Sequence, residues 1–180
     1  ITIESGTVNA NGGLSAAGIG GGYDNNWVEG TDGKWTYQPD SEKGNGFNIT
    51  ISGGTVTAKG QHFAAGIGGG GNGDGSNITI SGGTVTATGG ATKNGAGGAG
   101  IGGGWGGSAS DIKISGGTVV VEGKAGSADI GAGGGWPNST TNPYYPGTAS
   151  NITVSEDVTV KKTDGSVPTI GFSENVPFLV

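Results

Sequence analysis

Ile49-Thr50-Ile51-Ser52-Gly53-Gly54-Thr55-Val56-Thr57-Ala58 returns as Ile78 to Ala87 and, more loosely, as Ile112 to Val121, Ile1 to Ala10 and Ile152 to Lys161. Each copy is answered by a short Ala/Gly/Ile run. The runs are Ala17 to Gly22, Ala65 to Gly70, Ala99 to Gly104, a variant Ala128-Asp129-Ile130-Gly131, and a last echo at Ile170-Gly171. Self-similarity of this kind is the signature of a solenoid. Successive side chains of a strand face opposite ways, so Ile49, Ile51, Val56 and Ala58 read as inward and Thr50 and Thr57 as outward. Ser-Gly-Gly between them reads as a bend, where glycine supplies backbone angles that a Cβ forbids. The Ala-x-Ile pairs at Ala17/Ile19, Ala65/Ile67, Ala99/Ile101 and Ala128/Ile130 supply a third strand, and three short strands close one rung.

The phrases start 48, 29, 34 and 40 residues apart, which predicts a constant core with loops of varying length inserted after the third strand. Equivalent strands should stack in parallel, since no rung can bury its own core. Three columns are expected: Ile51/Ile80/Ile114, Val56/Val85/Val119 and Ile67/Ile101/Ile130. Asn48, Asn77, Asp111 and Asn151 precede the first strand of successive rungs and should form a fourth, polar column. Asn-Ile-Thr also matches a glycosylation sequon, but stacked Asn side chains that bond corner backbone and one another explain it without a glycan.

With 45 Gly and 6 Pro in 180 residues, the composition would suggest low complexity if no period were present. The Ile/Val/Thr-rich phrases favour strands instead. We read residues 1–180 as a single solenoid domain. No signal peptide is visible and Ile1 opens inside a strand phrase, so the chain reads as a piece of a longer protein, with an uncapped first rung inviting end-to-end self-association. There is no Cys, hence no disulfide framework or thiol chemistry. Net charge is −6 and every basic residue is Lys, which argues against nucleic acid, whose phosphates draw on clustered Lys and Arg. The same balance disfavours an anionic membrane surface, and no apolar run approaches a membrane span, so membrane insertion is not expected.

Thr-Val-Thr-Ala followed by Ala-Gly-Ile-Gly-Gly-Gly resembles the Gly-rich repeats of large secreted or wall-anchored proteins of Gram-positive bacteria. The likeness covers residues 1 to about 172. It implies an all-β, right-handed parallel β-helix (β-solenoid) of about five rungs in an extracellular, secreted or cell-surface protein. Members of this group are mostly adhesins or uncharacterised surface proteins, some linked to carbohydrate binding. The reading is therefore a non-catalytic module that binds a glycan or host surface ligand. Its alternatives are a structural stalk or self-assembling filament segment, and a polysaccharide-cleaving enzyme.

The candidate binding residues are aromatic. All four Trp and all four Tyr lie outside the strand phrases, after the third strand: Tyr23, Trp27, Trp35 and Tyr37 in the longest insertion, Trp105 in a short one, and Trp136, Tyr144 and Tyr145 in the last. Beside them Gly18, Gly20, Gly66, Gly68, Gly100 and Gly102 suggest a bare strip that a flat ring can approach closely. Trp and Tyr pair an apolar face with a polar edge and so suit sugars. The competing reading is that the loops fold back and these aromatics cover the glycine strip.

Catalytic and metal readings have less behind them. A glycosidase needs a carboxylate pair at defined separation. Asp24, Glu29, Asp32, Asp40 and Glu42 share the first loop without motif spacing. His62, the single histidine, reads as a corner residue beside Phe63, and no cofactor or dedicated metal site is expected. Gly70 to Gly75 nearly matches a calcium-binding nonapeptide, and Asn72 and Asp74 leave room only for adventitious Ca²⁺. Thr55-x-Thr57 and Thr84-x-Thr86 suggest outward Thr rows as on ice-binding solenoids, rows that Asn9 and Val120 interrupt.

Overall fold

The computed structural model describes residues 1–23, 31, 44–93, 97–124, 126–135 and 147–171, and residues 27–29 and 35–37 through their backbone. Among the described residues fifteen strands follow in chain order. Rung 1 holds β1 (Thr2–Ile3), β2 (Thr7–Asn11) and β3 (Ile19–Gly20). Two strands of its insertion follow, β4 (Trp27–Glu29) and β5 (Trp35–Tyr37). Rung 2 holds β6 (Gly46–Ile51), β7 (Thr55–Lys59) and β8 (Ile67–Gly68). Rung 3 is β9 (Gly75–Thr88) and β10 (Ile101–Gly102), and rung 4 is β11 (Ala109–Glu122) and β12 (Ile130–Gly131). Rung 5 holds β13 (Ala149–Val154), β14 (Thr159–Lys161) and β15 (Ile170–Gly171). All pairing between rungs is parallel. The protein is an all-β parallel β-helix of five rungs.

The three apolar columns form in the expected register: Ile51↔Ile80↔Ile114, Val56↔Val85↔Val119 and Ile67↔Ile101↔Ile130. Their side chains are almost wholly buried, as are Ile49, Ile78 and Ile112 behind them. Each such Ile or Val stabilises the rod by roughly 1.5–3 kcal/mol relative to exposure. Ile3, Val8, Ile152, Val154 and Val160 of the outer rungs are only partly buried, because one neighbouring rung covers them instead of two.

Two details differ from the sequence reading. In rungs 3 and 4 the first two strands merge, and β9 and β11 run fourteen residues through Ser-Gly-Gly. The bend survives within them: Gly83 and Gly117 have φ of 86° and 87°, like Gly54 between β6 and β7 at 82°, a left-handed conformation that glycine adopts without strain. The second difference concerns the insertions. The connections after the third strand in rungs 2 and 3, residues 69–74 and 103–108, are equal in length, so the longer spacing of rung 3 arises elsewhere. It comes from residues 89–100, between the second and third strands. Insertions therefore occur at two corners of the rod, not one.

The Asn column is a hydrogen-bonded ladder. Asn48, Asn77, Asp111 and Asn151 all take φ between 50° and 55°. Asn77 Nδ2 donates to Asn48 Oδ1, and Asn151 Nδ2 donates to Asp111 Oδ1. Short polar side chains tolerate this conformation and bond locally, which accounts for Asx at every copy. A second ladder was not foreseen. Asn45 Oδ1 accepts from Asp74 N at 2.8 Å, Asp74 Oδ1 from Ser108 N at 2.7 Å, and Ser108 Oγ from Thr148 N at 3.1 Å. Its signal was present as an Asn, Asp, Ser or Thr just before the first strand of each of these rungs.

Candidate binding site on the insertion side

The corner after the third strand takes two forms. In the short connections it closes on itself. Trp105 N donates to Phe63 O at 2.6 Å, and the rings of Trp105 and Phe63 lie 5.1 Å apart at a 38° tilt. Trp105 is only 7% exposed. Trp105, one of the expected ligand contacts, is thus packed against the preceding corner, from which the six-residue loop is too short to carry the indole away. Gly71 lies beneath the same cluster, where an added Cβ would come within 3.1 Å of both Phe63 Cβ and Tyr23 Cδ2. Tyr23 lies against Gly71 while remaining 38% exposed.

The glycine strip is not a bare platform. Gly66, Gly68, Gly100 and Gly102 are buried, Gly18 is half-buried, and of the six only Gly20 is exposed. Gly20, Gly68 and Gly102 have φ of 131°, 128° and 135°, and a Cβ on each would meet the next rung's glycine carbonyl oxygen at 2.0–2.1 Å. These glycines exist because backbone stacks directly on backbone. Where rung 4 replaces this glycine pattern with Asp129, the carboxylate is 2% exposed and bridges rungs. Its Oδ1 accepts from Gly123 N at 2.7 Å, and its Oδ2 accepts from Thr169 N at 2.8 Å and Thr169 Oγ1 at 2.9 Å.

The long connection of rung 1 behaves differently. It carries its own antiparallel ribbon, with Trp27 opposite Tyr37, Val28 opposite Thr36 and Glu29 opposite Trp35. Directly opposed residues share a face, as do residues two apart in one strand. The register therefore assigns Trp27, Glu29, Trp35 and Tyr37 to one face of the ribbon and Val28 and Thr36 to the other. Trp136, Tyr144 and Tyr145 lie outside the described residues, as do Asp24, Asp32, Asp40 and Glu42.

The other residues named from the sequence are placed as follows. The calcium-like stretch has Asp74 engaged in the second ladder, and among the described residues no group of three or more His, Asp or Glu could hold a metal. The Thr rows split. Thr7, Thr55, Thr84, Thr118 and Thr159 form one column, unbroken and longer than expected, whereas Thr57 and Thr86 are flanked by Asn9, Val120 and Lys161. His62 stands at a corner beside Phe63, exposed and with φ of 51°. Glu122 accepts from Lys124 Nζ and from Thr163 Oγ1; the Lys124 hydrogen bond leads in holding its carboxyl below the usual value, against a smaller opposing effect of burial. No helix is long and apolar enough to cross a membrane among the described residues.

Residues 1–23, 49–71 and 78–105 match the profile of a β-helix repeat. The chain carries a β-helix repeat region. Each matched segment runs from a first strand through a third, so the repeat of the profile is the rung seen in the structure. Residues 24–48, which include the ribbon and the start of β6, fall between two matched segments. No curated protein and no solved structure matches the chain.

Proposed function

We propose that this β-helix is a non-catalytic extracellular module of a bacterial surface protein that binds glycan through the insertion of rung 1. The observation that carries this reading is the ribbon register, which gathers Trp27, Trp35 and Tyr37 with Glu29 on one face. Aromatic rings cover the apolar faces of sugars, and a carboxylate orients their hydroxyls. The position of the ribbon outside the repeat segments adds support, because repeat arrays place binding elements on per-repeat insertions. Tyr23, partly exposed at the start of the insertion, is a further candidate contact. A glycan array with the wild-type protein should give hits that disappear in Trp27→Ala and Trp35→Ala while the fold persists. A silent array with a folded protein would refute the proposal.

A second reading, a stalk or filament segment, is favoured by one observation. β1, β2 and β3 pair only toward rung 2, and β13, β14 and β15 only toward rung 4, so among the described residues both outer rungs present strand edges. Such edges accept further strands. Sedimentation that shows association growing with concentration would support it. The polysaccharide-cleaving reading gains nothing from the carboxylates of Asp74 and Asp129, which are committed to backbone donors.

A further inference from the structure

The bend between the first and second strands reads Ser-Gly-Gly in rungs 2, 3 and 4, and in neither outer rung. The paired strands on either side place Ser52-Gly53-Gly54, Ser81-Gly82-Gly83 and Ser115-Gly116-Gly117 in one column. In rung 1 the same position holds Glu4-Ser5-Gly6, between Ile3↔Ile51 and Thr7↔Thr55. In rung 5 four residues, Ser155, Glu156, Asp157 and Val158, stand between Val154 and Thr159, where rung 4 has three between Ile114 and Thr118. The inward Ile and the left-handed glycine of the third strand show no such change, for Ile3, Ile152, Gly20 and Gly171 keep their places in the columns.

In each interior bend the middle glycine is imposed by the rung before it. A Cβ on Gly53, Gly82 or Gly116 would lie 2.2, 2.4 or 2.3 Å from Glu4 O, Ser52 O or Ser81 O. No side chain fits at such a distance unless the backbone moves. Ser5 fills this position in rung 1 with the bend otherwise unchanged: Gly6 has φ of 85°, against 82°, 86° and 87° at Gly54, Gly83 and Gly117. Ser5 is exposed, and by the same geometry its Cβ stands where the carbonyl of a rung stacked in register on that face would have to lie.

Rung 5 departs in two further ways. Val158 N donates to Ser155 O at 3.1 Å to close a turn, and none of residues 155–158 takes a left-handed φ, so this corner does not repeat the three-residue bend. Glu156 and Asp157 are exposed, as is Glu4. If rung 1 of one molecule stacked on rung 5 of another at the usual inter-strand spacing of about 4.8 Å, these three carboxylates would share one corner. Like charges opposed across paired strands destabilise the pairing. From these differences we infer that the bend column blocks head-to-tail stacking of a second copy of this chain, rung 1 of one copy on rung 5 of the other. Ser5 supplies the steric part, the four-residue turn breaks the register, and Glu4, Glu156 and Asp157 repel. The open strand edges favour such stacking and this corner opposes it. The block bears on the filament reading alone; glycan binding by the ribbon neither requires it nor fails with it.

Sedimentation of the 180-residue chain beside a variant with restored bends tests the inference. The variant carries Glu4→Ser and Ser5→Gly, with residues 155–158 replaced by Ser-Gly-Gly. Wild type should keep one average mass as concentration rises about a hundredfold, while that of the variant should rise about twofold or more, as mass action requires of self-pairing edges. Ser5→Gly alone should associate less than the full variant, and more at high salt, where the remaining carboxylates are screened. A folded variant that stays monomeric, or a wild type that associates as strongly as the variant, would overturn the inference. Gly82→Ser gives a second measurement that does not depend on the variant folding. It sets a Cβ 2.4 Å from Ser52 O and should lower the melting temperature. An unchanged melting temperature would show that a side chain fits against a stacked rung at this position, and would overturn the inference equally.

Discussion

Residues 103–108 and residues 21–45 join the same two strands of the rung, and they differ in what they build. The short connection returns at once to the corner it left, so Trp105 is buried against Phe63. The long one is free of that constraint and builds two strands of its own, with Trp27, Trp35 and Tyr37 assigned to one face. Both follow the same Ile-Gly-Gly-Gly run, and they differ in length, six residues against twenty-five.

Both corners depend on the shared columns, and the largest effect should come from breaking those. Ile80 is fully buried between Ile51 and Ile114. Ile80→Asp places a charge there with neither water nor a partner, and chemical denaturation should show a loss of several kcal/mol or no folded protein at all. A mild effect would mean that the rungs do not share a core, and the comparison of corners would lose its common frame.

Trp105→Ala separates the corners themselves. Removal of a buried Trp side chain costs about 3–5 kcal/mol, and the near-complete burial of Trp105 puts its loss within that range. Denaturant melts would measure it, and a neutral result would place Trp105 with the ribbon residues as a ligand contact after all.

A smaller effect is expected at the other insertion corner. The carboxyl of Glu122 is held below its usual value of 4.5, chiefly by the hydrogen bond from Lys124. A group with a depressed folded pKa stabilises the protein above the ordinary carboxylate range and loses that contribution as pH falls through the depressed value. With both side chains a quarter to a third exposed, the pair contributes at most about 1 kcal/mol. Wild type should therefore exceed Glu122→Gln in melting temperature at pH 7, and the gap should close on acidification below 4.5. A gap that widens in acid would contradict this assignment.

The columns were legible in the sequence because Ile and Val recur at fixed positions within each phrase, and parallel stacking turns equal position into contact. The placement of insertions was legible only in part. Phrase starts are 29 and 34 residues apart where the inward Ile residues of the third strand are 34 and 29 apart, at Ile67, Ile101 and Ile130. Comparing the two series places the extra residues before the third strand of rung 3, and phrase starts alone do not. The glycine strip misled for a physical reason. A missing side chain signals either open surface or backbone contact, and the 2.0–2.1 Å approach at Gly20, Gly68 and Gly102 is contact.

The central claim is that the insertion of rung 1 binds while the short corner packs. Its most direct test is to measure glycan binding and unfolding free energy side by side for Trp35→Ala and Trp105→Ala. The account predicts that Trp35→Ala abolishes binding with stability unchanged within about 0.5 kcal/mol, as for surface substitutions generally, and that Trp105→Ala lowers stability while the remaining folded protein still binds. Equal loss of stability in both variants, with no glycan bound by the wild type, would contradict it.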